Sequence, residues 1–293
     1  MVALKSDLRV EPRRHSAARL FGFWLMERAS ALVGGRRMYR HVFLGKRRLR
    51  VRQEILSVPD LPRGLRDFCV VQLSDFHAGA LLSKGSLMHV VSAANAQRPD
   101  LVVLTGDYIT RNWREALSLL DDLSLLRARL GVFAVFGNHD YRGRHEGRIA
   151  EAFAERGIRF LRNQGVRFEL DGAGVTLCGI EDLEESRSVD LGAARAVLQS
   201  GDIEFDLCHN PRRAALLARE GVVAIFSGHT HGCQVDAPWL RRLGPAHPGT
   251  RVQLGATRLI TSRGLGVVGF PWRFRADPEI VVARLCGAAR EAG

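Results

Sequence analysis

The sequence predicts an α/β protein built on two sheets with helices outside. Three observations point there. Short runs rich in Val, Leu and Phe recur along the chain, as strands buried on both faces require. Helix-period stripes lie between several of them. A hairpin signal interrupts the alternation, which favours two mixed sheets over a single doubly wound one.

In chain order, the candidate strands are 68–73, 101–104, 132–136, 167–170, 175–180, 203–207, 222–226 and 257–261. Leu87, Val90, Val91 and Ala94 stand at i, i+3, i+4 and i+7, and Leu119, Leu120, Leu123 and Leu126 form a similar stripe, so helices are expected at both places. Residues 169–180 read as a hairpin turning at Asp171-Gly172. Pro211 is placed to open a helix that contains Leu216 and Leu217. Residues 232–256 carry four Gly, three Pro and Trp239, and read as a loop that overhangs whatever lies beside His231.

Charge divides the chain in two. The net charge is +12, and residues 1–66 hold sixteen Lys and Arg against five Asp and Glu, while residues 67–293 are nearly balanced, 27 against 26. A basic arm on a neutral body points to an anionic surface more than to nucleic acid. We draw the arm as 1–53 and the main domain as 54–287. The apolar run at 20–26 is only seven residues, far short of the ~20 that a spanning helix needs. Arg13, Arg14 and Arg19 precede it, and Arg36, Arg37, Arg40, Lys46, Arg47, Arg48, Arg50 and Arg52 follow, so residues 13–52 resemble an interfacial anchor for an anionic membrane. Three other readings are open: a helix packed on the body, a secretory signal ending near Ala29-Ser-Ala31, and a nucleic-acid arm. The third is weakened because the aromatic residues sit in one block rather than among the basic ones. Five cysteines with no Cys-x-x-Cys, an odd number in a chain of 293 residues, argue against a disulfide framework and for a reducing compartment.

Five motifs carry the chemistry: Asp75-Phe-His77, Gly106-Asp107, Gly137-Asn138-His139-Asp140, His209 in Cys-His-Asn-Pro, and Gly228-His229-Thr-His231. Each follows an apolar run, so each donor stands at a strand end. Any one alone is weak: a lone Gly-Asp is a turn, and a lone His after a strand is usually a core residue. Together they supply carboxylate, amide and imidazole donors without thiolate, a set suited to divalent manganese, iron or zinc and not to a structural zinc site. Two such ions about 3.5–4 Å apart, one carboxylate bridging them, neutralise a phosphate ester and activate water. His15, His41, His89, His145 and His247 lack this setting and read as surface or packing residues.

In this order the motifs resemble the calcineurin-like metallophosphoesterases, over about residues 54–285. The resemblance implies a four-layer α/β/β/α sandwich. It implies that Asp75, His77 and His231 hold one metal, that Asn138, His209 and His229 hold a second, and that Asp107 bridges them. His139 would contact the phosphate or protonate the leaving oxygen, and Asp140 would orient His139. Two divalent ions are implied, manganese favoured. Arg263, in Ser-Arg-Gly-Leu-Gly, is a candidate phosphate contact, with Arg142 and Arg144 behind it.

Longer matches, from Leu-Ser-Asp-Phe-His-Ala-Gly to Pro-Glu-Ile, resemble a branch with membrane-associated bacterial phosphodiesterases, among them a UDP-2,3-diacylglucosamine pyrophosphatase. The better-known pyrophosphatase of that kind carries Arg where this chain has His139. Cys208 and Cys233 depart from the small residues usual beside those histidines, and packing is their expected role. The resemblance and the arm together imply a phosphodiester or pyrophosphate hydrolase of a phosphorylated or nucleotide-linked lipid, peripheral on the cytoplasmic face of the inner membrane. An exported protein is the alternative placement. A nuclease or cyclic-nucleotide phosphodiesterase with the same metals is the alternative function, and a scaffold that kept the fold is a third.

Overall fold

In a computed structural model the described residues are 17–186, 188–237 and 249–288. Arg13, Arg14, His15, Trp239 and His247 therefore lie outside them, as does the middle of the expected overhanging loop. Among the described residues, twelve strands form two six-stranded sheets. The first holds β1 (Arg50–Val58), β2 (Cys69–Leu73), β3 (Leu101–Leu104), β4 (Val132–Ala134) and β5 (Ile158–Phe160). The chain then crosses to the second, with β6 (Gln164–Leu170), β7 (Ala173–Gly179), β8 (Ile203–Leu207), β9 (Val222–Ser227), β10 (Arg251–Leu254) and β11 (Thr257–Thr261). Finally β12 (Glu279–Gly287) returns to the first sheet between β1 and β2.

Register explains why one edge becomes the site. β2, β3 and β4 run parallel, with Val71 opposite Val102 and Val102 opposite Val132. β7, β8 and β9 also run parallel, with Leu177 opposite Phe205 and Phe205 opposite Ala224. Each parallel set releases its chain at one end, where loops from several strands meet. Antiparallel neighbours make both sheets mixed: β12 against β2, β6 against β7 and β10 against β11. The β6–β7 hairpin turns at Asp171 and Gly172, both at positive φ (50° and 78°), as a tight two-residue hairpin demands.

Val70, Leu101, Val103 and Phe133 of the first sheet meet Val175, Phe205, Ala224 and Phe226 of the second in a core between the sheets. Helices cover the outside: α3 (Met88–Asn95), α4 (Trp113–Leu117), α5 (Leu120–Leu123) and α6 (Glu146–Ala154) share a core with β2 and β3, while α7 (Leu191–Ala194) packs on the second sheet. This is the expected α/β/β/α order.

Four expectations change. The arm boundary at 53 falls inside β1, whose one-sided burial and basic residues hid it in the arm. Upstream, Tyr39, Phe43, Leu44 and Leu49 belong to the main core, so the lower half of the arm is part of the body. The Pro211 segment is a 3-10 turn, Pro211–Leu216, rather than an α-helix. The expected loop 232–256 ends in a strand, β10. Ahead of the packed segment, α1 (Ala17–Leu32) and α2 (Gly35–Met38) precede a π-helical turn at Tyr39–Phe43. Among the described residues no helix is long and apolar enough to cross a membrane.

Candidate metal centre

All seven expected ligands sit just past the ends of the parallel strands: Asp75 and His77 after β2, Asp107 after β3, Asn138 after β4, His209 after β8, and His229 and His231 after β9. Donor atoms of Asp75, His77 and His231 lie within 4.8 Å of one another, as do those of Asp107, His209 and His229. Asn138 Oδ1 is 2.9 Å from His229 Nδ1, which adds it to the second group. Asp107 Oδ2 is 3.4 Å from His77 Nε2 and 3.4 Å from His209 Nε2, so one carboxylate oxygen stands between the two groups.

The backbone is bent to make this convergence. Asp75, His77, Asp107, His229 and His231 all hold positive φ, between 46° and 70°, a region non-glycine residues rarely adopt. Such strain persists only where surrounding bonds impose it. Asp75 N–H donates to Gly106 O (2.9 Å) and His77 N–H to Asp107 O (2.9 Å). The two motif glycines at 137 and 228 are needed for close approach: a Cβ at Gly137 would strike Asp107 Oδ1, and one at Gly228 would strike Asp75 Oδ2. Beneath, Gln72 Nε2 donates to Thr105 Oγ1 and Ser227 O (both 2.8 Å), tying the two sheets under the site.

The donor set fits divalent ions. His77 Nε2 faces His231 Nε2 at 2.9 Å, a contact in which one neutral ring must donate and the other accept, while His77 Nδ1 is buried without a partner. Burial holds the His77 imidazole down at about 4 and the His231 imidazole well below its ordinary value, so both are neutral and keep a lone pair. His209 Nδ1–H donates to Thr105 O (2.6 Å), which fixes the ring and turns Nε2 inward toward Asp107, and against the opposing effect of burial the Asp107 carboxylate holds this imidazole well above its ordinary value. Asp75 Oδ2, like His77 Nδ1, is buried without a partner. A shared cation on each group resolves all of these at once.

His139 also reaches the cluster, with a donor atom near those of His77 and Asp107. Its Nδ1–H donates to Thr110 O (3.2 Å), and its Nε2 faces Arg142 Nη2 at 3.2 Å. Asp140 does not orient it, contrary to expectation. The Asp140 carboxylate accepts four backbone N–H groups, from Asp107 (2.9 Å), Tyr108 (2.8 Å), Ile109 (3.2 Å) and Gly137 (2.8 Å). A buried carboxylate takes the donors that surround it, and here three of the four belong to the Asp107 turn. Asp140 therefore shapes the bridging position, and Thr110 O with Arg142 sets the His139 ring.

Arg263 lies beside Gly232, the residue after His231, with its Nη1 3.7 Å from Glu279. Arg144 is exposed and donates to Glu185 O, so Arg142 is the nearer cation. Cys208 is buried, its thiol pushed up by burial and donating to Asn210 O, which makes it a packing residue. The one other group of converging donors among the described residues is Cys178, Glu204 and Asp206. Arg195 ion-pairs with both of its carboxylates, Glu204 at 2.6 Å and Asp206 at 2.7 Å, so it is an internal charge network.

Sequence reasoning missed Arg273, which is 0% exposed. It donates to the carbonyls of Arg263 (2.7 Å) and Ala276 (2.9 Å), to Gly266 O and to Tyr39 Oη (3.1 Å), and its Nη2 lies 3.3 Å from His231 Nδ1. It thus joins the packed arm, the 263–266 turn and a ligand ring. An Arg between Trp272 and Phe274 gives no signal of this in sequence.

Two clusters of buried oxygen and nitrogen donors sharing one carboxylate, at the open end of two parallel strand sets, define a dinuclear-metal phosphoester hydrolase. Comparison with known proteins agrees. The profile of the calcineurin-like phosphoesterases matches residues 69–233, more than half of the chain, and the protein belongs to that family. It is 29% identical over 233 residues to the uncharacterized metallophosphoesterase YkuE of Bacillus subtilis, covering 77% of this chain and 81% of that one. It is 28% identical over 254 residues to an uncharacterized metallophosphoesterase of Aquifex aeolicus, covering 82% and 92%. It is also similar, at 29% over 239 residues, to a Danio rerio transmembrane protein with a metallophosphoesterase domain, covering 77% of this chain and 54% of that protein.

Proposed function

We propose that the protein hydrolyses a phosphodiester or pyrophosphate bond in a phosphorylated or nucleotide-linked lipid, of which UDP-2,3-diacylglucosamine is one example, while peripheral to the cytoplasmic face of a membrane. The observation that carries the hydrolase reading is the position of Asp107 Oδ2 at 3.4 Å from a nitrogen of each ligand group. Asp75, His77 and His231 would hold one divalent ion and Asn138, His209 and His229 the other, with manganese the favoured metal. When bound, the ions neutralise the ester's charge and lower the pKa of water.

The chain's own residues do the rest. Asp140 fixes the Asp107 turn through three of its backbone donors and ties it to Gly137 through the fourth. Arg142 and Arg263 bring cations to the rim, where a second ester oxygen or a pyrophosphate adds charge that two metals leave uncompensated. His139 has its Nδ1–H committed to Thr110 O, which leaves Nε2, beside Arg142, as the atom that would accept a proton from a substrate hydroxyl or water and that must first gain one before it could protonate a leaving oxygen. The lipid part of the reading is supported by the apolar residues that α1 leaves exposed, Phe21, Trp24 and Leu25, and by the basic residues around them.

The test is turnover by manganese-loaded protein on an aryl phosphodiester, an aryl phosphomonoester and a UDP-linked diacyl sugar. The expected order of kcat/KM is lipid-linked substrate, then diester, then monoester. No turnover on any of them overturns the reading. Preference for DNA, RNA or a cyclic nucleotide, with salt-sensitive binding, moves it to the nuclease or cyclic phosphodiesterase class.

A further inference from the structure

Residues 268–275 run close beside the metal loop. Between Phe270 and Phe274 the side chains alternate. Pro271 and Arg273 point inward and are buried, while Phe270, Trp272 and Phe274 point outward and are 48%, 45% and 44% exposed. Three outward aromatic rings in five residues are costly to leave in water. Nothing in this segment is loose. Arg273 pins it from below. Gln234 holds it from the side, its Nε2 donating to Val268 O (3.3 Å) and Phe270 O (3.1 Å) and its Oε1 accepting from Val268 N–H (2.9 Å). Phe274 N–H donates to Gln234 O (3.0 Å), and Phe274 O accepts from Asp236 N–H (2.9 Å). Gln234 is three residues past the ligand His231.

The segment continues into the arm. Trp272 meets Phe43 edge to face at 5.8 Å, and a Cβ on Gly35 would touch Pro271. Beyond them, α1 and the turn after it expose Phe21, Trp24, Leu25, Leu32 and Val33. The charge in the same stretch has one sign. Residues 17–49 contain eight Lys and Arg against one acid, Glu27, and Glu27 is buried facing Arg111 at 3.8 Å. Cations already sit over the rings, Arg275 at 5.3 Å from the Phe274 centroid and Arg28 at 5.8 Å from that of Trp24. Amphipathic rings beside guanidinium groups match the boundary of an anionic bilayer, with rings at headgroup depth and cations on lipid phosphates.

We propose that Phe270, Trp272 and Phe274 form a rigid finger that inserts into an anionic phospholipid surface together with the exposed apolar residues of α1, setting the metal centre at headgroup level. The proposal deepens the lipid reading above and rests on it for its purpose, but the finger is argued from its own geometry. The occupant is the lipid surface itself, because a basic rim around an apolar patch complements anionic headgroups.

The experiment uses the full chain and sedimentation with phosphatidylcholine vesicles, with and without phosphatidylglycerol. Wild type is expected to partition to the anionic vesicles, and F270S/W272S/F274S to lose about tenfold or more of that partitioning, with hydrolysis of a soluble aryl diester unchanged. A second measurement leaves the finger intact: W24F/W113F/W239F retains Trp272 as the only tryptophan, and brominated phosphatidylglycerol is expected to quench it. Unaltered partitioning of the finger variant, or no quenching of Trp272 in vesicle-bound protein, overturns the proposal. So does a concentration-dependent dimer that the finger variant abolishes, which gives the face to a second copy. Diester hydrolysis without vesicle binding sinks the finger and leaves the hydrolase reading. Vesicle binding with Trp272 quenched and no hydrolysis of any ester does the reverse.

Discussion

The metal centre and the aromatic finger are neighbours in space, joined through Arg273 and Gln234, and are unsatisfied in opposite ways. In the centre, polar atoms are buried without partners: Asp75 Oδ2, His77 Nδ1 and His209 Nε2. On the finger, large apolar groups stand in solvent on a segment held from beneath by hydrogen bonds. Folding alone favours neither. Buried polar atoms without partners cost free energy, and so do exposed aromatic rings. The centre is completed by cations, and the finger, in our reading, by a lipid surface. Arg273 touches both, bonding the carbonyls under the finger and lying against His231.

The contrast breaks most severely at Asp107. D107N removes the charge that serves both ligand groups, and hydrolysis of an aryl diester is expected to fall by about a thousandfold or more, with metal content reduced. Atomic emission on the purified variant checks the second part.

R273M comes next, because it attacks the shared support. It leaves the carbonyls of Arg263, Gly266 and Ala276 without their donor, and a loss of about 2–4 kcal/mol is expected on denaturant unfolding. Weaker manganese binding by calorimetry should accompany it, since His231 loses its neighbour.

A smaller effect concerns the arm. Burial raises the Glu27 carboxyl from 4.5 to about 7, against the pull of Arg111. The folded value exceeds the unfolded one, so the group's contribution to stability is fully present below pH 4.5 and is lost as pH rises through about 7. E27Q should flatten the melting temperature across that window and raise it on the alkaline side. An identical pH profile in both proteins would show that α1 docks without this carboxyl. The least effect is expected from C208A: about 1 kcal/mol or less of stability and unchanged turnover, because the thiol is packed rather than ligating.

The ligands were legible because their residue types are costly at strand ends unless they bind something, and the strands that carry them are short apolar runs. β1, with its one-sided burial, was obscured by its basic residues, and β5 is only three residues long. β12 carries the apolar run 280–283, but its place between β1 and β2 depends on a pairing across the whole chain. The role of Asp140 was misread because a motif names residues and not their partners; its four backbone donors come from turns that only the folded sheet brings together. Arg273 failed for the same reason, since its acceptors are carbonyls, and carbonyls have no sequence signature.

The most direct test of the central claim is a metal titration. Chelator-stripped protein is given increasing manganese while hydrolysis of an aryl phosphodiester is followed. Two ion sites sharing Asp107 predict no turnover without metal and a rise that levels off at two equivalents per chain. Turnover that survives the chelator, or levels off at one equivalent, would contradict a dinuclear centre.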